Sequence, residues 1–152
     1  MSTIEKSIEV NVSVNTAYNQ WTQFEEFPNF MEGIEEVTQL DERRLHWRAE
    51  IGGKTKEWTA EIIEQLPDQR IAWRSISGPQ NAGVVTFHPI ADDKTKIMLH
   101  LEYDPEGFIE NAGDTFGLVS WRVSGDLERF KEFIEARGKE TSGWREHISP
   151  NR

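Results

Sequence analysis

The stretch from Asn111 to Gly138 carries apolar residues at a helical period. At about 100° per residue, one stripe of this helix collects Phe116, Ser120, Val123, Leu127, Phe130 and Ile134. Asn111 or Asp114 can cap the start of the helix, and Gly138 stands where a left-handed residue often ends one. The pattern therefore predicts one long helix with one buried face.

Before Asp104 the apolar residues alternate with polar ones, as they do in half-buried strands. The alternation begins in residues 4–14, and two short helices are predicted next, one with Tyr18 and Trp21 and one around Pro28. About six strands in all precede the long helix. Because an apolar sheet face needs a cover, we expect an α+β fold in which the long helix lies on the sheet.

Gly52 and Gly53 separate two alternating runs, which is the sequence signal of a two-residue hairpin turn. This turn sets a register with apolar pairs on one face and opposite charges on the other. The pairs are Trp47 with Trp58, Leu45 with Ala60, Arg48 with Glu57, and Arg44 with Glu61. Packing and charge support the same register, and we expect ion pairs at the two charged positions.

Two further hairpins are predicted from turn residues. The loop 66–69 sets Ile62 opposite Trp73, so that three tryptophans share one face of the sheet. The loop 91–94 joins two more strands, and the register that best separates apolar from polar groups has three notable pairs. They are Phe87 with Leu101, Val85 with Tyr103, and His88 with His100.

Composition excludes several classes of function. The chain has 152 residues, 36% of them apolar, which suits one domain in residues 1–138 with a loosely held tail in residues 139–152. A net charge of −10 argues against nucleic acid and anionic membrane surfaces as partners. The chain has no cysteine, no apolar run of membrane-spanning length and no signal-peptide pattern, so we predict a cytoplasmic protein without membrane insertion.

Candidate catalytic chemistry is sparse. His88 and His100 are predicted on the solvated face without a third ligand, so no metal is predicted. No glycine-rich phosphate loop follows a strand, and we predict no cofactor. Among inward positions, Tyr103 and Ser75 offer only neutral hydroxyl groups, and the catalytic residues stay unknown.

Short motifs along nearly the whole chain resemble the START-like (SRPBCC) superfamily, in particular its polyketide cyclase/dehydrase branch, which includes coenzyme Q-binding proteins. The motifs are residues 18–21 (YNQW), 24–31 (FEEFPNFM), 45–47 (LHW), 56–58 (KEW), 70–75 (RIAWRS), 83–87 (GVVTF) and 126–131 (DLERFK). The resemblance implies a helix-grip fold, with a curved antiparallel sheet of six to seven strands wrapped on the C-terminal helix. It also implies a cavity between sheet and helix that different members fill with different chemistry.

Two interpretations of Trp47, Trp58 and Trp73 stay open: they fill a closed core, or they line a cavity for a flat apolar ligand. With the family resemblance, the second predicts binding of a lipid, quinone or polyketide-like molecule. A polyketide cyclase or dehydratase is the alternative, and action through the surface alone is a third. The predicted ligand-binding residues are Trp47, Trp58, Trp73, Ser75, Phe87, Leu101, Tyr103, Phe116, Val123 and Leu127.

Leu118 and Trp121 lie away from the buried stripe of the long helix. Apolar groups on an outer surface favour a cover. Either the tail with Trp144 folds over them, or a second subunit does, which makes a homodimer through Leu118 and Trp121 possible.

Overall fold

Seven strands and three helical segments make up the described part of the chain. The fold is described for residues 2–51, 53–104 and 115–149 in a computed structural model, with only the backbone given for residues 115–118. The strands are β1 (Ser2–Val10), β2 (Ile34–Gln39), β3 (Arg44–Ile51), β4 (Lys54–Leu66), β5 (Arg70–Ser77), β6 (Asn81–Ala91) and β7 (Lys94–Tyr103). Helix α1 spans Val14–Trp21, a 3₁₀ helix spans Phe24–Asn29, and helix α2 spans Thr115–Arg137.

The strands form one antiparallel sheet in the order β1-β7-β6-β5-β4-β3-β2, curled into a half-barrel. Helix α2 packs against this sheet and the short helices through its apolar stripe. Phe130 lies edge-on to Trp21 and Phe30, with ring centroids 4.9 Å and 5.2 Å apart. This confirms the predicted α+β helix-grip fold, with two short helices after the first strand and a long C-terminal helix.

The register predicted for the β3–β4 hairpin is confirmed, with Trp47 opposite Trp58. Gly53 has the positive φ of 82° that the turn needs, while Gly52 lies outside the described residues. Arg48 does not bind Glu57, contrary to the prediction from the sequence. Its Nε lies 3.3 Å from Glu35 Oε1, and Glu57 instead lies 3.0 Å from a ring nitrogen of His46. Since β3 lies between β2 and β4, its outward side chains can reach carboxylates on either side.

Arg44 departs from its predicted ion pair in the same way. It stands opposite Glu61 as expected, but its guanidinium lies 2.7 Å from Asp41, and Glu61 pairs with Arg74 at 3.2 Å. Asp41 precedes β3 in the same turn and also accepts the amide of Arg43, so a local partner replaces the cross-strand one. The positions of opposite charge on β3 and β4 predicted the register correctly, but the predicted ion pairs between them do not form.

The β4–β5 register is confirmed, with Ile62 opposite Trp73. The predicted β6–β7 register is wrong by four residues, because Phe87 stands opposite Ile97 rather than Leu101. A tight turn between Ala91 and Lys94 sets this register, and a bulge follows Pro89. A shift by an even number leaves every side chain on its face, so the apolar pattern could not distinguish the two registers.

The predicted histidine pair is a second consequence of that wrong register. His88 stands opposite Lys96, whereas His100 stands opposite Val84 and, on its other side, Glu5 of β1. The imidazole Nδ1 of His100 lies 2.9 Å from Glu5 Oε1. The two histidines therefore do not face each other across the strands.

The end of α2 is as predicted. Gly138 has φ 73°, and its amide donates to the Ile134 carbonyl at 2.9 Å, which closes the last turn. The predicted caps Asn111 and Asp114 lie outside the described residues.

Residues 139–149 are held more tightly than the sequence predicts. Ile148 is 2% exposed and pairs with Gln65 of β4, and the Trp144 amide donates to Thr22 Oγ1 at 3.0 Å. Gln20 exchanges two hydrogen bonds with Thr141. These contacts place the segment on α1 and β4. Trp121 remains 64% exposed, so the expectation that the tail covers it is wrong.

Candidate functional site

A cavity lies between the concave side of the sheet and helix α2. Its volume is about 180 Å³. This is below the roughly 300 to 1,000 Å³ of typical ligand pockets, and it suits a small molecule or part of a larger one. Its apolar wall includes Phe24, Phe27, Met31, Ile34, Leu45, Trp47, Ala49, Trp58, Ile62, Trp73, Leu99, Leu101, Val119, Val123 and Leu127. The space is therefore large enough for more than a few waters and offers mainly apolar contact.

Two of the tryptophans form a stacked pair in this wall. Trp47 and Trp58 are cross-strand neighbours, and their rings lie 5.8 Å apart at an angle of only 6°. Trp47 also packs on Phe27 of the 3₁₀ helix, at 5.6 Å between ring centroids. The hairpin and the 3₁₀ helix thus fix the orientation of one broad aromatic surface.

Trp73 is positioned by a glycine on the neighbouring strand. Gly83 stands opposite Trp73, and a Cβ at Gly83 would come within 2.5 Å of the indole ring. The indole N–H donates to Asn81 Oδ1 at 3.4 Å. Only a residue without a side chain leaves room for the indole there, so Gly83 allows Trp73 to take its position in the wall.

The structure brings together seven of the ten predicted site residues in the wall: Trp47, Trp58, Trp73, Leu101, Tyr103, Val123 and Leu127. Ser75 is not in the wall, and its hydroxyl accepts the Asn81 amide at 3.0 Å. Phe87 packs edge-on against Tyr18 in the core, at 5.4 Å. The side chain of Phe116 lies outside the described part. Contact between these residues and a ligand stays a prediction.

Tyr103 lines the cavity, as the sequence predicted. It is 1% exposed, and burial raises the pKa of its phenol above the ordinary value, partly offset by a hydrogen bond with the side chain of Ser2. The phenol therefore stays protonated at neutral pH, and its oxygen is shielded from the cavity space.

The sequence analysis missed a charged group at the α2 side of the cavity. Asp126 lines it, and its Oδ1 accepts the Glu32 amide at 3.0 Å and Arg129 Nη2 at 2.6 Å. Burial raises the pKa of Asp126 to about 6, against the lowering effect of Arg129. A carboxyl group that is partly protonated near neutral pH can exchange a proton with a bound molecule.

Arg122 is the second missed residue, one turn before Asp126 on the same edge of α2. It lines the cavity, and its Nη1 donates to the Glu32 carbonyl at 3.0 Å. Positions 119, 122 and 126 repeat at a spacing of three and four, beside the buried stripe. That spacing was the available signal, and a helical wheel that separates only apolar from polar residues assigns such edge positions to solvent.

Neither a metal site nor a membrane-spanning helix is found among the described residues. No group of three or more histidine, aspartate or glutamate side chains lies there in an arrangement that could hold a metal ion. None of the described helices is long and apolar enough to cross a bilayer.

Known proteins are similar to this chain over most of its length. Residues 10–132 match the family described as polyketide cyclase / dehydrase and lipid transport. The chain is 53% identical to a 17.2 kDa protein of Streptomyces lincolnensis, encoded in the melC2-rnhH intergenic region, over 95% of this chain and 97% of that protein.

Solved structures show a similar fold at lower identity. A START superfamily protein of Mycobacterium smegmatis is similar with a TM-score of 0.70 and 17% identity, over 89% of this chain and 95% of that one. The Zhui aromatase/cyclase of a Streptomyces species has a TM-score of 0.76 and 15% identity, over 94% and 99%. At such identities the likeness concerns the fold. Together with the family match over most of the chain, it confirms the resemblance found in the sequence motifs, and the chain belongs to the polyketide cyclase/dehydrase and lipid transport family.

Proposed function

We propose that this protein binds a hydrophobic small molecule, such as a lipid, a quinone or a polyketide-like compound, in the cavity under α2. One observation carries the proposal: a cavity of about 180 Å³ is lined by mainly apolar side chains, among them four tryptophans. A ligand that buries about 300 Å² of apolar surface there gains roughly 7 kcal/mol before association costs are subtracted. The wall holds such a ligand by burial and by stacking on the indoles.

Tryptophan emission tests this proposal directly, because three of the six tryptophans are predicted to touch the ligand. We expect a quinone, a fatty acid or an aromatic polyketide to quench or shift the emission at one site per chain. Trp73→Ala should weaken binding, because it removes one wall of the cavity. The matched control is Trp121→Ala, which removes a 64% exposed indole of α2 and should leave the affinity unchanged.

The outcome that contradicts the proposal is equally clear. If all three ligand classes leave the emission unchanged, or if Trp121→Ala weakens binding as much as Trp73→Ala does, the cavity is not the binding site. Circular dichroism of both variants separates lost binding from lost folding.

A polyketide cyclase or dehydratase is the second candidate, and Asp126 favours it. A carboxyl group with a pKa of about 6 in a cavity wall is suited to proton transfer near neutral pH. The family match to polyketide cyclases and dehydrases supports the same class. Incubation with poly-β-keto thioester analogues followed by product mass analysis tests it. We expect Asp126→Asn to abolish turnover and keep binding if the enzyme hypothesis holds, whereas absence of turnover in the wild type rejects it.

Three further assignments stay proposals. The large exposed indole of Trp121 supports a homodimer through Trp121 and Leu118, the side chain of Leu118 lying outside the described part. Sedimentation that gives a dimer for the wild type and a monomer for Trp121→Lys would support it, and a monomer at all concentrations would reject it. The lack of cysteine supports a cytoplasmic location. The single domain proposed for residues 1–138 takes in residues 139–149 as well, since Ile148 is buried and pairs with Gln65 of β4.

A further inference from the structure

The cavity meets the solvent between α2 and the segment that leads into β2. Glu32 and Glu50 border the apolar space under α2, and among the described residues that line the cavity only these two are exposed. Exposed residues in the lining of a cavity mark its mouth. Gly33 and Ile51 lie beside them in the lining. A ligand that enters through the described part of the wall therefore passes between these residues and α2.

Three side chains of α2 bridge this mouth. Arg122 Nη1 donates to the Glu32 carbonyl at 3.0 Å, and Asp126 Oδ1 accepts the Glu32 amide at 3.0 Å. Arg129 Nε donates to the Phe30 carbonyl at 3.1 Å, and its Nη1 lies 3.3 Å from Glu32 Oε2. These polar contacts hold the segment before β2 against one edge of the helix.

The Arg122 guanidinium lies directly on Gly33. This glycine has φ 90°, and a Cβ there would overlap Arg122 Nη1 and would lie 3.0 Å from the Glu50 carbonyl. Glycine therefore permits both the turn and the close approach of the guanidinium. Since Arg122 also lines the cavity, its side chain stands between the apolar space and the gap that separates α2 from the segment before β2.

The contacts at the mouth cost less to break than those at the other end of α2. Leu127, Phe130 and Ile134 are at most 3% exposed, so their separation from the core would expose apolar surface. The side chains of Arg129 and Glu32 are 35% and 55% exposed, and water can replace polar contacts at such positions. This edge of the helix can therefore part from the segment before β2 while the apolar core stays packed.

We propose that Arg122 is a gate residue: its bond to the Glu32 carbonyl closes the mouth, and breaking that bond admits and releases the ligand. This inference rests on the proposed binding function and adds the route by which a ligand enters. A gate lies on the path in both directions, so its removal accelerates association and dissociation alike and leaves the affinity unchanged. Because the closing bond has a charged donor, its loss should raise both rate constants by about tenfold or more.

Stopped-flow tryptophan emission measures both rate constants, with menadione as a quinone probe and decanoate as a fatty-acid probe. We expect Arg122→Ala to raise association and dissociation together by about tenfold, and to keep the Kd within about twofold of wild type. Lys131→Ala is the matched control. Lys131 is another cation of α2 that donates to a backbone carbonyl, that of Glu9 at 2.9 Å, but it does not line the cavity. Its loss should leave both rate constants unchanged.

A pair of glycine variants tests the position of the gate independently. Gly33→Ala places a methyl group where the Arg122 guanidinium lies, so it should also accelerate entry and release. Gly53→Ala is its control, because Gly53 has a similar φ of 82° and no described residue lies within 4 Å of an added Cβ. Both substitutions strain the backbone, and only Gly33→Ala displaces Arg122. Melting curves establish that the variants fold.

The remaining outcomes overturn the inference. Unchanged rate constants in Arg122→Ala would do so and leave the proposed function standing. Faster dissociation with unchanged association would do so as well, because Arg122 would then hold the ligand rather than close the mouth. Equal acceleration in Lys131→Ala or Gly53→Ala would indicate a general loosening of the fold instead of a gate. If the wild type binds neither probe, the inference fails together with the proposed function.

Discussion

Asp126 shows how burial changes a single side chain of the cavity wall. Its pKa is raised from an ordinary 3.8 to about 6, so the folded protein binds this proton more tightly than the unfolded chain does. Protonation of Asp126 therefore stabilises the fold as the pH falls from about 6 to about 4. Above this window the ionised group costs up to about 3 kcal/mol.

The prediction concerns Asp126→Asn. The variant should be more stable than the wild type by about 2 to 3 kcal/mol at pH 8, and the difference should vanish near pH 4. Urea unfolding over a series of pH values measures it. Asp41→Asn is the control of opposite sign, because hydrogen bonds from Arg43 and Arg44 lower the pKa of Asp41. At neutral pH the wild type should be more stable than Asp41→Asn, and this difference should shrink as the pH falls and Asp41 becomes protonated. If the stability of both variants relative to the wild type changed with pH in the same direction, the burial effect on Asp126 would be contradicted.

The stacked indoles of the β3–β4 hairpin give a second prediction at this scale. Trp58 is 7% exposed and stacked on Trp47, so Trp58→Ala should lower the free energy of unfolding by about 3 kcal/mol or more. Arg48 is an exposed strand residue, and Arg48→Ala should cost less than about 1 kcal/mol. Similar costs for the two substitutions in urea unfolding would contradict the packing described for this hairpin.

The sequence predicted the apolar half of the wall better than the polar half. Strand alternation and the Gly52-Gly53 turn were enough to bring Trp47, Trp58 and Trp73 to one surface. Arg122 and Asp126 could not be predicted in the same way, because their position depends on how α2 is rotated against the segment before β2. That rotation comes from tertiary contacts such as the Arg122 bond to the Glu32 carbonyl.

At the level of elements, the clarity of the turn signal decided which registers could be predicted, since Gly52-Gly53 marks its turn and Asp92-Asp93 does not. The two-residue turn before β4 fixed the register, and its cross-strand charges agreed with it. The β6–β7 register was missed because an even shift keeps all side chains on the same face, and the bulge after Pro89 has no clear sequence signal. The tail was missed for another reason, since residues 139–149 are polar apart from Trp144 and Ile148.

The C-terminal segment gives the prediction for this scale. Ile148 is 2% exposed and its backbone pairs with Gln65, so Ile148→Ala should lower stability by about 2 to 4 kcal/mol. The neighbouring His147 is exposed, and His147→Ala should change stability by no more than about 0.5 kcal/mol. Equal melting temperatures for the two variants and the wild type would mean that the segment does not hold α1 and β4 together.

In the whole molecule, one helix covers a sheet of seven described strands that curls around it. Leu127, Phe130 and Ile134 pack closely near the C-terminal end of α2, where exposure is at most 3%. Toward the other end, Val119 and Val123 are only half-buried and line the cavity. Leu127 also borders the cavity, and the short side chains of Val119 and Val123 leave space opposite the indoles.

Native mass spectrometry with a cavity-filling variant is the most direct test of the account. Val123→Phe places a larger side chain in the empty space, so the variant should stay folded and lose ligand capacity. Delipidated wild-type protein mixed with fatty acids, quinones and aromatic polyketides should retain one ligand per chain, and Val123→Phe should retain none. Equal retention by both proteins, or retention by neither, would contradict a ligand-binding cavity under α2.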